Sequence, residues 1–190
     1  MSDVMVTDRF AFFWGGWPSQ WHRCRFSIDG VTYNCCEQFM MAEKARVFGD
    51  ADVERAILAA TNPRQQKALG RTVRHFDVAT WNSVCRGIVY LGNLAKFEQN
   101  DDLRELLLAT EGRTIVEASP KDSIWGIGLA QDDPRAQDPR TWRGKNWLGV
   151  ALLQVRDELD RRSGKGAAEM DAMLTKQLAA REAITTNRRG

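Results

Sequence analysis

Between Tyr33 and Asp50 the apolar residues Met40, Met41, Ala45 and Phe48 recur at helical spacing, which predicts a helix of about four turns. Asn34 is placed to cap its start, and Gly49 to stop it in the left-handed conformation that glycine adopts cheaply. Glu37, Met41, Lys44 and Phe48 fall at i, i+4, i+7 and i+11, so two opposite charges share a stripe with apolar residues, about 10 Å apart along the axis. Charges on such a stripe need a partner or a wet cleft, since burial of either alone is costly. Structural ion pairs through Glu43, Arg46 or Asp50 are one explanation, and a site that uses both charges is the other.

Upstream, residues 9–21 crowd aromatics around Gly15, Gly16 and Pro18, a composition that reads as loop rather than helix or strand. Residues 24–33 alternate around Asp29-Gly30, the signature of a hairpin. Downstream, the pattern predicts a helix from Ala51 to Ala60 and another that Asn62-Pro63 opens and Gly70 ends. Asp77 caps a long helix whose apolar face is Trp81, Val84, Cys85, Ile88, Leu91 and Ala95, and a short helix runs from Leu103 to Ala109. Thr114 to Ala118 reads as a strand, residues 119–128 as a glycine-bearing loop, and residues 131–144 as a polar surface loop long enough to act as a lid. Asn146 caps a final helix with Leu148, Leu152, Val155 and Leu159 on its buried stripe. Past Ser163-Gly164-Lys165-Gly166 the composition shifts, and Met170, Met173, Leu174 and Leu178 form an amphipathic pattern. The expectation is a predominantly α (α+β) protein: an arm at 1–9, one compact helical domain with a small β element at 10–162, and an extension at 163–190.

Composition narrows the chemistry. A hydrophobic content of 43% in 190 residues suffices for one core, and 27 basic against 25 acidic residues give no general attraction to nucleic acid or membrane. Cys24, Cys35, Cys36 and Cys85 lack CxxC spacing and His22 and His75 lie far apart, so no metal is expected and the thiols are read as free in a reducing cytoplasm. No run has the length of a membrane span, and the N-terminus lacks the pattern of a signal peptide.

Several clusters carry candidate chemistry beside plainer structural readings. Trp14 and Trp21, on the aromatic loop, suit stacking on a planar base if they are not core. Lys67 and Arg71 leave two cations near a turn, where a phosphate would fit. Asp122 and Trp125 occupy the glycine-bearing loop, and Lys145 with Asn146 stands at a helix start whose free N–H groups favour an anion.

The ordered blocks FFWGGWPSQWHRCRFSIDGVTYNCCEQFMMAEKARVFGD, KALGR, KFEQN, IVEASPKDSIWGIG and WRGKNWLG resemble the NADAR family over roughly residues 10 to 160. The resemblance implies a compact, mostly helical fold and cleavage of N-glycosidic bonds to ribose, without a cofactor. Two substrate classes come with it: ADP-ribose on guanine bases, including bases in nucleic acid, and phosphoribosylamino-pyrimidine intermediates of riboflavin synthesis. A third reading is a module that binds ADP-ribose or NAD without turnover. By resemblance Glu37 takes the active-site glutamate position, with Lys44 as the lysine of the same helix. Asp122, Trp125 and Gly126 match a D-x-x-W-G loop, Arg71 follows the glycine of KALGR, and Lys145 and Asn146 match the GKN-x-LG block. The start FWGGWPSQWH departs from the riboflavin-type branch and suggests a different ligand surface around Trp14, Ser19 and Trp21.

An N-ribosyl bond breaks with positive charge developing on the sugar, so Glu37 is expected to stabilise that charge or activate water, while Asp122 orients the ribose hydroxyls or assists proton transfer. Lys44 either positions Glu37 or a phosphate, or attacks ring-opened ribose as a neutral amine.

Overall fold

The computed structural model describes residues 4–162 and 164. The amphipathic pattern of the extension lies outside them. Four short strands come first: β1 (Val4–Val6), β2 (Phe10–Phe13), β3 (Phe26–Ile28) and β4 (Val31–Tyr33). Five helices follow: α1 (Cys36–Val47), α2 (Ala51–Ala59), α3 (Pro63–Gly70), α4 (Val78–Glu98) and α5 (Asp101–Leu108). Strand β5 (Thr114–Glu117) and helix α6 (Trp147–Arg162) complete the fold. This is the mostly helical α+β domain that the pattern predicts.

Two corrections concern the first strands. Phe10–Phe13 is the middle strand of a three-stranded sheet of order β1-β2-β5, where a loop was expected. All four of its residues are buried. A strand covered on both faces shows no alternation of polar and apolar positions, so its sequence reads as an aromatic cluster. Val4–Val6, within the expected arm, pairs antiparallel with β2 and forms the edge. β3 and β4 form the expected hairpin, with Asp29 and Gly30 both at positive φ, as a two-residue turn of this kind requires.

Helix α1 lies at the centre, packed against α2, α3 and α4. Its cap is Cys35, whose Sγ accepts from the Gln38 amide, and not Asn34. Asn34 instead donates from Nδ2 to Ala60 O and accepts from Gln66 Nε2. Gln38 donates to the carbonyls of Ile57, Leu58 and Ala60, so the open end of α2 is closed by side chains from α1 and α3. Gly49 does stop α1 at positive φ. In α4 the cap at Asp77 is as predicted, but Leu91, assigned to the apolar face, is exposed. Helix α6 packs on β5 and α4. The segment 131–144 holds two short 3-10 turns, Pro134–Gln137 and Pro139–Thr141, and its Trp142 packs edge-on against Phe10. All four cysteines are free thiols.

Candidate active site

β2 and β5 run parallel with Phe13 opposite Glu117, so both strands end together. Loops leaving the carboxyl ends of adjacent parallel strands flank a common crevice. Here they are residues 14–21 and 118–128, and with α1 and α3 they enclose a cavity of about 580 Å³. That volume suits a small organic ligand.

The first loop is held from below. Lys96 of α4 is completely buried and donates from Nζ to Trp17 O (2.6 Å) and Ser19 O (3.1 Å). Trp17 packs edge-on against Phe97, and Asn93 donates to the Gln20 side chain. The Glu37 amide donates to Gln20 O at 3.0 Å, joining the loop to the first turn of α1. With the backbone fixed, Trp14 and Trp21 remain 62% and 40% exposed and line the cavity rather than the core. Ser19 lies between them and accepts from the Trp21 amide through Oγ.

Three carboxyl groups meet at the cavity. Glu37 is 4% exposed. Burial, with Asp122 adding to it, raises its pKa, while Lys67, a hydrogen bond from the Trp21 side chain and Arg71 oppose the rise. Asp122 also lines the cavity, its Oδ1 accepting from the amides of Ile124 (2.9 Å) and Trp125 (2.8 Å) and so shaping the loop. The third is Glu117, which the sequence reading did not single out. Burial, then Asp122, push its pKa up to about 8, with Glu37 adding to the rise and Lys67 opposing it. Its Oε2 is the one buried side-chain polar atom without a hydrogen-bond partner among the described residues. A signal was present: Glu117 shares a strand face with Ile115, which is buried in the main core.

The cations divide. Lys67 and Arg71 line the cavity and act on Glu37. Lys44 also lines it, but its Nζ turns to Gly70 O (2.8 Å) and lies 4.1 Å from the Phe76 ring centre and 5.9 Å from that of Trp81. Burial and the nearby Arg71 lower its pKa, and no carboxylate forms an ion pair with it among the described residues. The cations that act on Glu37 are Lys67 and Arg71.

Trp14, Ser19, Trp21, Glu37, Lys44, Arg71, Asp122 and Trp125 thus share one cavity. Gly126, Lys145 and Asn146 do not line it. Gly126 lies inside the loop, where a Cβ would sit 2.8 Å from Glu117 O. Lys145 Nζ rests 4.6 Å from the Trp147 ring centre, behind the edge-on pair of Trp147 and Trp125. Asn146, at φ 51°, is buried and clamps β5: its Oδ1 accepts from the Glu117 amide (3.0 Å) and its Nδ2 donates to Ile115 O (2.9 Å). A second cavity, also about 580 Å³, adjoins the first across Trp14 and Gly15 and is lined by Gln131 and Asp132 of the polar segment.

A family model for the NADAR domain matches residues 12–160. Protein irg-1 of Caenorhabditis elegans is 46% identical over 131 residues, 68% of this chain and 62% of that protein, so the chain spans less than two thirds of it. N-glycosidase R617 of Acanthamoeba polyphaga mimivirus is 40% identical over 167 residues, 81% of this chain and 98% of the viral protein. The NMR structure of the Escherichia coli protein YbiA matches with a TM-score of 0.70 at 27% identity, covering 86% of this chain and 92% of that one. By the extent of the family match and by its fold, the chain belongs to the NADAR domain family.

Proposed function

We propose that this protein is an N-glycosidase that hydrolyses the bond between ribose and a base nitrogen, with ADP-ribose attached to guanine as its favoured substrate. The family and the relatives named N-glycosidase, R617 and YbiA, support the reaction class. The observation that carries the reading is the meeting of a buried carboxyl, Glu37, with two cations and two exposed tryptophans in one cavity. A module that only binds ADP-ribose needs the cations and the rings but gains nothing from a carboxylate whose burial is costly.

In this reading Trp14 and Trp21 stack on the base, and Lys67 and Arg71 take phosphate. Glu37, ionised, stabilises the charge that develops on the ribose or accepts a proton from the attacking water. Burial and Asp122 raise the pKa of Glu37, and the Trp21 hydrogen bond with the two cations is what offsets that rise in favour of the ionised form. Asp122, anchored through Oδ1, orients ribose hydroxyls. Lys44, with its lowered pKa and no anionic partner among the described residues, has the surroundings that an amine attacking ring-opened ribose requires. The second cavity across Trp14 gives room for another nucleoside half, which favours an ADP-ribosyl over a phosphoribosyl substrate.

The test compares wild type with Glu37→Gln on guanine-ADP-ribosylated DNA and on the phosphoribosylamino-pyrimidine, following sugar release. The expected result is release from the DNA, reduced on the order of a hundredfold or more in the variant with binding retained. Release from the pyrimidine alone would move the protein to metabolite clearance. Equal turnover by both proteins would remove Glu37 from the mechanism.

A further inference from the structure

Glu117 has no place in the reading above, yet it is the most unusual group in the cavity. It ends β5, and its backbone amide is fixed by the buried Asn146 side chain. Its carboxyl lines the same cavity as Glu37 and Asp122, and Oε2 is buried with no hydrogen-bond partner among the described residues. A buried polar atom left unpaired is costly, and the ones that persist call for an explanation. The groups that act on it are Asp122 from the loop, Glu37 from α1 and Lys67 from α3. Two of those three are acidic. Glu37 is likewise raised by burial and by Asp122, but Lys67, the Trp21 hydrogen bond and Arg71 all oppose that rise. Both carboxyls are raised by burial, yet Glu37 has a hydrogen-bond donor and two cations beside it where Glu117 has one cation and an unpaired Oε2, a difference in surroundings of the kind that separates a base from an acid. A neutral carboxyl with no hydrogen-bond partner at Oε2 among the described residues keeps its proton free for a ligand in the cavity.

We propose that Glu117 is the general acid that protonates the departing base. The inference rests on the N-glycosidase reading. The bond between the anomeric carbon and the base nitrogen breaks with its electron pair leaving on the base. The conjugated base takes the proton of Glu117, so it departs neutral. Water attacks the anomeric carbon and gives its proton to the Glu37 carboxylate, and solvent then carries that proton back to Glu117. The sum is one water consumed, with hydroxyl added to the ribose and hydrogen to the base. The role also accounts for the position of Glu117 at the strand end: a proton donor must be held to a fraction of an ångström, and a strand residue clamped by Asn146 is better fixed than one on a loop.

The test uses two substrates that share an ADP-ribosyl group and differ in what leaves. Guanine needs a proton as it departs, whereas a ribosyl pyridinium already carries positive charge and leaves as neutral pyridine. Glu117→Gln should lower kcat on the guanine substrate by about a hundredfold to ten-thousandfold, and on the pyridinium by less than about tenfold. In wild type the guanine reaction should decline as pH rises through about 8, and the pyridinium reaction should not share that decline. Asp122→Asn, which removes a negative neighbour of Glu117, should move the decline to lower pH. Equal losses on both substrates, or an unchanged decline in Glu117→Gln, would overturn the proposal. Infrared spectroscopy adds a readout independent of turnover: wild type at pH 7 should show a protonated-carboxyl band that Glu117→Gln lacks, and its absence from wild type would overturn the acid role even if both substrates were hydrolysed. Hydrolysis of neither substrate by wild type, with the band present, would instead overturn the N-glycosidase reading and the acid role with it.

Discussion

Asn146 separates two accounts of one residue: family resemblance expects it to bind substrate, and its contacts make it a brace for β5. Asn146→Ala removes the acceptor of the Glu117 amide and the donor to Ile115 O, both at ordinary hydrogen-bond length and behind a residue only 3% exposed. Each buried group left unmade costs about 1–3 kcal/mol. Alanine at φ 51° adds strain of roughly 1–2 kcal/mol, which glycine escapes. The alanine variant should therefore lose about 3–8 kcal/mol, and Asn146→Gly about 2–6 kcal/mol. For a chain of this size the losses lower Tm by roughly 5 °C or more. Thermal and urea unfolding of the three proteins measure this, and steady-state hydrolysis completes the comparison. The brace predicts that stability falls first and that kcat falls with it, because the clamp also positions Glu117. A variant with Tm within about 1 °C of wild type and a raised KM would refute the brace and restore Asn146 to the ligand.

Lys96→Met retains most of the packing of the stem but frees the carbonyls of Trp17 and Ser19, at a loss of about 2–3 kcal/mol, and the loosened loop should raise KM more than it lowers kcat; an unchanged KM would mean that the loop is held by other contacts. Asp50 tests the charge chemistry of the scaffold, since hydrogen bonds from the Arg74 side chain and amide hold its pKa well below the usual 3.8. A carboxyl depressed on folding contributes stability above its ordinary value and loses it as pH falls, so Asp50→Asn should be clearly less stable at pH 7 and converge on wild type in acid unfolding series. We propose that the catalytic domain ends near residue 162, so a chain truncated after Gly164 should fold and hydrolyse substrate like the full chain; loss of folding would place part of the core in the extension.

What the sequence discloses depends on how local each cause is. Gly49, the Asp29-Gly30 turn, the Asn62-Pro63 start and the Asp77 cap act within a few residues, and all are found where pattern places them. Phe10–Phe13 escapes because burial on both faces removes the alternation that marks a strand. The gathering of Trp14, Glu37, Arg71 and Asp122 follows chemical type and family resemblance, yet their direction does not. Lys44 shares a helical stripe with Glu37 but ends against Gly70 O and the Phe76 ring, because a four-carbon stem reaches well beyond its own turn. Asn146 is a helix-start residue by spacing, but its partners lie on a strand about thirty positions earlier, which no local pattern encodes. Glu117 is the opposite case, legible as a charge on the inward face of a strand beside Ile115 and hidden only by the shortness of that strand.

The same Glu117 ties function to stability, because a carboxyl raised to about 8 in the fold opposes folding wherever the unfolded chain would ionise it. The sign follows from proton binding. Below its ordinary value of 4.5 the group is neutral in both states and has no effect. As pH rises the unfolded state releases its proton first and gains free energy relative to the fold, until the folded group also ionises near pH 8. At roughly 1.4 kcal/mol for each pH step, the penalty is on the order of 3 kcal/mol at pH 7, a sizeable part of the roughly 5–15 kcal/mol that holds a domain together. Glu117→Gln keeps the shape and removes the titration, so the variant should be more stable than wild type near pH 8 and lose that advantage toward pH 4.5. A protein that becomes more stable as it loses turnover has a residue kept for chemistry, since selection for folding alone would have replaced it. Equal stability of the two proteins across that range would show that Glu117 ionises freely in the fold, leaving neither a cost to explain nor an acid to donate.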